Sequence, residues 1–228
     1  MHEYELPPGC TETCRLFPLP GLVLFPHAVL PLHIFETRYR QMTEDALATD
    51  NMITMIQLKS DRKDQQREEP RPIEEVGCLG KIIRYERLND GRFNLLLVGL
   101  RRVRIRAELP SKKLYRIAAA EILEDIASDG PESPSRSRLI QLFRGRLGED
   151  RGIDPDLRKL LDSDTIALGA LTDIIAHTLE IPSNLKQILL AESAVDRRVS
   201  LLLNALGEKT SVKPSDFVRT FPPPFSLN

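Results

Sequence analysis

Residues 16–39 read LFPLPGLVLFPHAVLPLHIFETRY, and this stretch decides what kind of fold the chain can adopt. It is apolar enough for a membrane helix, but Pro18, Pro20, Pro26 and Pro31 interrupt it. Each interior proline removes a backbone donor and collides with the preceding turn. Proline cannot serve the middle of a β-ladder either. The stretch therefore predicts short strands joined by tight corners, ending where a helix begins at about Glu36.

Downstream of this stretch the first half of the chain is β-rich. Residues 52–58 (MITMIQL) form a short apolar run with strand character. Residues 59–75 are crowded with Asp, Arg, Lys, Gln, Glu and Pro, a composition that buries little apolar area and predicts an exposed loop. Residues 78–88 predict the next strand, and Asn89-Asp90-Gly91 is a turn signal, since these residues tolerate positive φ. Residues 92–100 (RFNLLLVGL) predict the returning partner. In residues 101–106 (RRVRIR) the alternation places Val103 and Ile105 on one face and Arg102, Arg104 and Arg106 on the other. Residues 114–123 predict another strand, with a helical reading of the alanine run left open. Several short strands and one early helix predict a small, partly closed β-barrel.

The pattern changes at Asp129-Gly130-Pro131, with Pro134 close behind, and this marks the expected boundary between two parts. Beyond it the apolar period is 3.6 residues. Leu139, Leu142, Phe143 and Leu147 mark one helix; Ala167, Leu171, Ile174, Ile175 and Thr178 a second, with Ser163 or Asp164 suited to cap it. Pro182 breaks the pattern and Ser183 is suited to cap a third helix through Leu190. Val195, Val199, Leu202, Leu203 and Leu206 mark a fourth that stops at Gly207. The expectation is an α+β chain: a β-rich part over 13–128, a four-helix bundle over 131–208, and flexible tails at 1–12 and 209–228, the latter extended around Pro222-Pro223-Pro224.

The 228 residues carry 32 Lys+Arg against 33 Asp+Glu and no tryptophan. Near-zero net charge argues against a dedicated nucleic-acid binder. Cys10, Cys14 and Cys78 make neither a disulfide framework nor a paired zinc motif, so no metal or cofactor is expected. The start, MHEYELPPG, lacks the basic and apolar regions of a signal peptide. No run of 18 apolar residues is present. A soluble, cytoplasmic protein without a membrane association is expected.

Several motifs in order carry a resemblance. They are Phe17-Pro18-Leu19, Leu24-Phe25-Pro26, Pro31-Leu32-His33-Ile34-Phe35-Glu36 and Arg38-Tyr39, then Gly77-Cys78-Leu79-Gly80-Lys81-Ile82, the turn Asp90-Gly91-Arg92, and Val98-Gly99-Leu100-Arg101-Arg102-Val103-Arg104-Ile105. In the helical half, Leu185-Lys186-Gln187-x-Leu189-Leu190 and Arg197-Arg198-x-x-x-Leu202-Leu203 follow. Over about residues 13–208 the chain resembles the N-terminal domain of Lon proteases. It departs from that family at Thr37, where proline is usual; proline in a first turn is favourable but not required. The resemblance implies a PUA-like pseudo-barrel followed by a helical bundle. The ATPase and Ser-Lys protease parts of Lon have no counterpart: no G-x-x-x-x-G-K-[ST] loop is present, and about 20 residues after the bundle are too few for a domain. The expectation is a free-standing Lon-substrate-binding-domain protein.

The signature residues Pro18, Leu19, Phe25, Pro26, Pro31, Leu32, Ile34, Phe35, Glu36, Arg38, Tyr39, Gly77, Gly80, Gly91 and Gly99 are apolar, turn-forming or helix-starting, and report the fold. Glu36 suits a helix N-terminus through the dipole, and Phe35 and Tyr39 are expected to pack inward. His27 and His33 lack the spacing of a zinc protease, His33 is expected to face solvent or a hydrogen-bond partner, and no nucleophile with a base is identifiable. No catalytic residue is assigned. Residues 81–116 hold 11 Lys+Arg against 3 Asp+Glu, so 11 − 3 = +8. Arg102, Arg104 and Arg106 are the candidate stripe for a nucleic acid or a partner. The alternative for that stripe is a solvated face, or one paired with Glu68, Glu69, Glu74 and Glu75. The leading functional expectation, implied by the resemblance, is a non-catalytic module that binds unfolded polypeptide or a protein partner, such as a separate ATP-dependent protease for which it would act as adaptor. An RNA-binding module using the arginine stripe is the second reading, and a small-molecule site or an uncharacterised hydrolase the third.

Overall fold

The computed structural model describes residues 6, 9–59, 70–127, 132–147, 155–163, 165–207 and 226–227. The expected boundary at 129–131, residues 60–69 of the charged loop and most of both tails lie outside these. The chain divides into two units, Met1–Glu124 with Phe225–Asn228, and Asp125–Pro224.

In the first unit the order is β1 (Cys14–Leu19), β2 (Val29–Ile34), α1 (Thr37–Leu47), β3 (Met52–Gln57), β4 (Val76–Arg87), β5 (Phe93–Leu109), β6 (Ile117–Leu123) and a short β7 (Ser226–Leu227). The sheet runs β4-β3-β1-β6-β5-β2-β7, and β4 also pairs with β5. The pairings β4-β3-β1-β6-β5 thus close into a ring, the expected barrel. The 17-residue β5 makes closure possible. One of its edges runs along β4; the other is shared, with β2 against Phe93–Val98 and β6 against Arg102–Leu109. Residues 92–100 and 101–106, which the sequence suggests as successive pieces, are one continuous strand. The alanine run of 117–123 is strand, paired with β5 and β1.

The prolines sit where a ladder spares their missing N–H. The Leu16 N–H donates to the Arg116 carbonyl on the β6 side, and by strand parity Pro18 faces the same side, beyond the β1–β6 pairing at Cys14 and Arg15. The Gly99 N–H donates to the Ala28 carbonyl, so residues 28, 30, 32 and 34 address β5 while Pro31 turns its nitrogen to the outer edge. Thr11, in the segment expected to be a loose tail, is tied down: its carbonyl accepts the Ala120 N–H at 2.8 Å.

The strands bury two layers. Cys14, Leu16, Ile56 and Ala118 form one cluster, and Met52, Leu79, Leu100 and Val103 another. Helix α1 covers a further apolar layer through Tyr39, Met42 and Ala46, all buried. The Tyr39 ring lies 4.3 Å from that of Phe17, and its hydroxyl donates to the Pro18 carbonyl at 3.3 Å. Two signature glycines have plain reasons. At Gly99 a Cβ would overlap the Phe25 carbonyl; Gly91 holds φ +80° in the hairpin turn, beneath the Arg40 guanidinium. Gly77 and Gly80 leave no room for a methyl beside the Met55 carbonyl and the Leu97 side chain.

The second unit holds α2 (Glu132–Leu147), α3 (Pro155–Asp162), α4 (Leu168–Thr178), α5 (Ser183–Ala191) and α6 (Val195–Gly207). Five helices are described here, not four. The additional one, α3, is eight residues long with proline at its first position; Leu157, Leu160 and Leu161 hold the helical spacing and N1 proline is a helix-start signal, but the segment spans only about two turns. The capping expectations change as well. Ala167 and Pro182 are the N-cap residues of α4 and α5; Ser163 lies before the turn, Asp164 is outside the described residues, and Ser183 is already helical. Leu139, Phe143, Leu171, Ile175, Leu189 and Leu202 are wholly buried, so the apolar period is the packing face, and α6 ends at Gly207 as its sequence suggests.

Candidate functional site

Arg102 is only 3% exposed, and a buried guanidinium cannot belong to a surface stripe. Arg104 and Arg106 are accessible, but both pair with Glu121 of β6. The register sets Arg104 directly opposite Glu121, and the irregularity between Ile105 and Ala107 brings Arg106 to the same carboxylate. A bulge inserts a residue and re-aims its neighbours, which the strict alternation of RRVRIR does not anticipate. Four further cations of the +8 run are also met by acids: Arg87 by Glu44, Arg92 by Asp90, Lys113 by Asp45 and Arg116 by Glu108. Glu44, Asp45 and Glu121 lie outside the 81–116 window, so the local sum overstates the field at the surface. Of the acids proposed as partners, Glu68 and Glu69 lie outside the described residues, and Glu121 takes the role.

Around the start of α1, Ile34 is buried and Tyr39 is buried as expected, but Phe35 is 43% exposed rather than packed inward. Its ring stacks against His33, centroids 6.2 Å apart. His33 Nδ1 lies 2.7 Å from Asn94 Oδ1 across the β2–β5 pair, and Nε2 faces Arg92 at 3.5 Å. Glu36, the N-cap residue, makes no side-chain cap bond; it pairs with Arg38 at 2.8 Å, and Arg38 lies over the Tyr39 ring.

Large apolar side chains stand exposed on fixed elements of this unit. Ile83 and Tyr85 project from the outer half of β4, 44% and 55% exposed. A register irregularity between Ile82 and Arg84 interrupts the alternation here, and residues 83–87 are all exposed. Leu114 is 58% exposed on the β5–β6 connection. That connection is held against α1. The Leu114 N–H donates to Gln41 Oε1 at 2.8 Å, the Tyr115 hydroxyl to Asp45 Oδ2 at 2.7 Å, and Lys113 Nζ lies 2.9 Å from the same oxygen. Burial first, then the hydrogen bond to Asp45, pushes the Tyr115 phenol up to about 12. Burial pulls the Asp45 carboxyl upward, but the bonds from Tyr115 and Lys113 outweigh it and the net shift is downward.

In the second unit Arg198 is 1% exposed. Its Nη1 and Nη2 donate to the two Asp125 oxygens at 2.7 and 2.5 Å, its Nε to Thr172 Oγ1 at 3.1 Å and Nη1 also to the Glu192 carbonyl at 3.0 Å. Asp173 Oδ1 lies 3.8 Å from Nε. These bonds all go to groups of this unit, and the guanidinium is the buried centre of the clamp while Asp125 stays partly exposed. Burial pushes the Cys10 and Cys14 thiols up, away from nucleophilic character. Among the described residues no group of three His, Cys, Asp or Glu is placed to hold a metal, and no helix is long and apolar enough to cross a membrane.

The family model described as the ATP-dependent protease La (LON) substrate-binding domain matches residues 13–208. The Lon protease of Trichlorobacter lovleyi is 27% identical over 201 residues, covering 87% of this chain and 24% of that protein. The Lon protease of Heliobacterium modesticaldum is 28% identical over 200 residues, covering 86% and 24%. The chain thus spans about a quarter of the length of the curated relatives it matches. Among solved structures, the Lon N-terminal domain protein from Xanthomonas campestris superposes with a TM-score of 0.61 at 22% identity, covering 84% of this chain and 97% of that one. The N-terminal domain of the Mycobacterium avium complex Lon protease gives 0.64 at 16% identity, with 87% and 100% covered.

Proposed function

This chain belongs to the family of the ATP-dependent protease La (LON) substrate-binding domain, and from that membership we propose that it binds unfolded polypeptide through the apolar surface of its first unit. The observation that carries this reading is the set Ile83, Tyr85, Phe35 and Leu114, exposed on β4, at the end of β2 and on a fastened connection. Apolar side chains held on rigid elements give an extended chain something to bury at little ordering cost. The chain's own part is recognition. Service as an adaptor to a separate ATP-dependent protease, in the cytoplasm, is the finer form of the proposal. The RNA reading loses its main support with Arg102 buried and Arg104 and Arg106 engaged by Glu121.

The test is binding of a reduced, carboxymethylated model protein to the native chain and to Ile83→Asp with Tyr85→Asp. Surface substitutions of this kind change stability by about 0.5 kcal/mol or less, so lost binding would reflect a lost contact. Retained binding in the variant removes this surface, and no binding by the native chain removes the function. Binding that disappears with modest salt would return the argument to arginine.

A further inference from the structure

The outer edge of β2 is occupied, and by the chain itself. Strand β7 pairs parallel to β2, with Leu32 opposite Ser226 and His33 opposite Leu227. Because residues 28, 30, 32 and 34 address β5, the backbone groups of Val29, Pro31 and His33 point to this edge. Proline has no N–H, so between residues 30 and 34 the His33 N–H is the edge's one donor, flanked by the Pro31 and His33 carbonyls as acceptors. The pairing lies on that donor. Pro31 thus limits the donors that this edge can offer a ladder. This is how native sheets blunt an edge without closing it.

We infer that the edge of β2 at Leu32–His33 is a strand-addition site for an extended polypeptide segment, held in this chain by its own Ser226–Leu227. Main-chain hydrogen bonds supply the attraction in strand addition and are indifferent to sequence, which suits a binder of unfolded chains. The side chains beside the edge add a preference for apolar residues. His33 carries the stacked, 43% exposed Phe35 next to it. A resident segment competes as an intramolecular ligand, so an incoming segment must displace it. The site gives the proposed polypeptide binding a place and rests on that reading.

The experiment uses the full chain, a Ser226→Pro/Leu227→Pro variant and a His33→Pro variant. The last removes the edge donor and leaves the β5-facing positions Leu32 and Ile34 unchanged. The probe is a fluorescently labelled peptide of residues 221–228 added in trans, with amide hydrogen exchange read at His33. The expected result is a protected His33 amide in the native chain and a fast one in Ser226→Pro/Leu227→Pro. The peptide should bind that variant about tenfold or more tighter than the native chain, and should not bind His33→Pro. Equal His33 exchange in the native chain and Ser226→Pro/Leu227→Pro overturns the resident strand. Peptide binding to His33→Pro as tight as to Ser226→Pro/Leu227→Pro overturns the site. Should the carboxymethylated protein bind the native chain while the peptide ignores these changes, this site fails and the general function stands. Failure of the carboxymethylated protein to bind any form removes the function and leaves the exchange result to decide the strand.

Discussion

Replacing Arg198 by methionine should unfold the second unit well before the first. Methionine keeps the unbranched stem and removes the guanidinium, so the loss is electrostatic rather than a cavity. The guanidinium is 1% exposed and makes two bonds to Asp125, one to Thr172 and one to the Glu192 carbonyl. Its removal leaves Asp173, also 1% exposed, without the cation 3.8 Å away. Breaking a buried pair from one side costs about 3–5 kcal/mol, because the remaining charge stays desolvated. Unfolding free energies of single domains are roughly 5–15 kcal/mol, so about a fifth or more of the unit's stability would go. With a urea slope of about 1.5 kcal/mol per M, the midpoint should fall by about 2–3 M. Far-UV circular dichroism reads this transition, and the absence of tryptophan removes its fluorescence as a probe. Asp173→Asn combined with Arg198→Met should cost less than the two changes summed, since the two charges lie 3.8 Å apart and couple. Gly169→Ala tests the clamp from the other side: its methyl would overlap Asp125 Oδ2 and crowd Arg198 Nη2. A loss below about 1 kcal/mol for Arg198→Met, or strict additivity with Asp173→Asn, would refute the argument that a desolvated charge is what the clamp satisfies.

Three further outcomes are expected. Gly99→Ala should destabilise the first unit by about 2–3 kcal/mol, the upper range for overpacking, because the added methyl meets the Phe25 backbone carbonyl; urea denaturation followed by exchange of the β5 amides checks it. The Tyr115 phenol is raised to about 12 by burial and by its bond to Asp45, above an unfolded value of about 10. Its contribution is therefore complete below about pH 10 and is lost as pH rises through about 12. In Tyr115→Phe that share of the alkaline decline should vanish, as read from urea midpoints stepped across the window. Glu121→Ala releases Arg104 and Arg106, so retention on heparin should increase and its log–log salt slope steepen by about 1–2; an unchanged elution would mean that the pairs do not restrain the arginines.

The elements themselves were largely legible in the sequence. Proline spacing excluded a long helix or strand over 16–39, Asn89-Asp90-Gly91 fixed the β4–β5 hairpin, and the 3.6-residue period found four of the five described helices of the second unit. The misses have physical reasons. The short α3 shows its apolar period, Leu157, Leu160 and Leu161, over only about two turns. Phe35 follows β2 and turns out to His33, a choice made by neighbours rather than by its own hydrophobicity. Arg102, Arg104 and Arg106 alternate on paper, but one is buried and the bulge after Ile105 carries another to Glu121. Ile83 and Tyr85 are exposed because the whole outer half of β4, residues 83–87, is exposed past the irregularity after Ile82, which strand alternation does not anticipate.

By itself the sequence determined what is local: where the backbone can turn, which segments carry a helical or a strand period, and which family the ordered motifs resemble. These depend on steric limits and on residues a few positions apart. Tertiary structure alone decided the pairings between distant positions. It closed the ring through β4–β5 and seated Ser226–Leu227 on the edge of β2. It also brought Asp125 to Arg198, 73 residues away. Such contacts follow from strand register and helix packing, and a charge or an edge finds its partner only after the chain has closed around it.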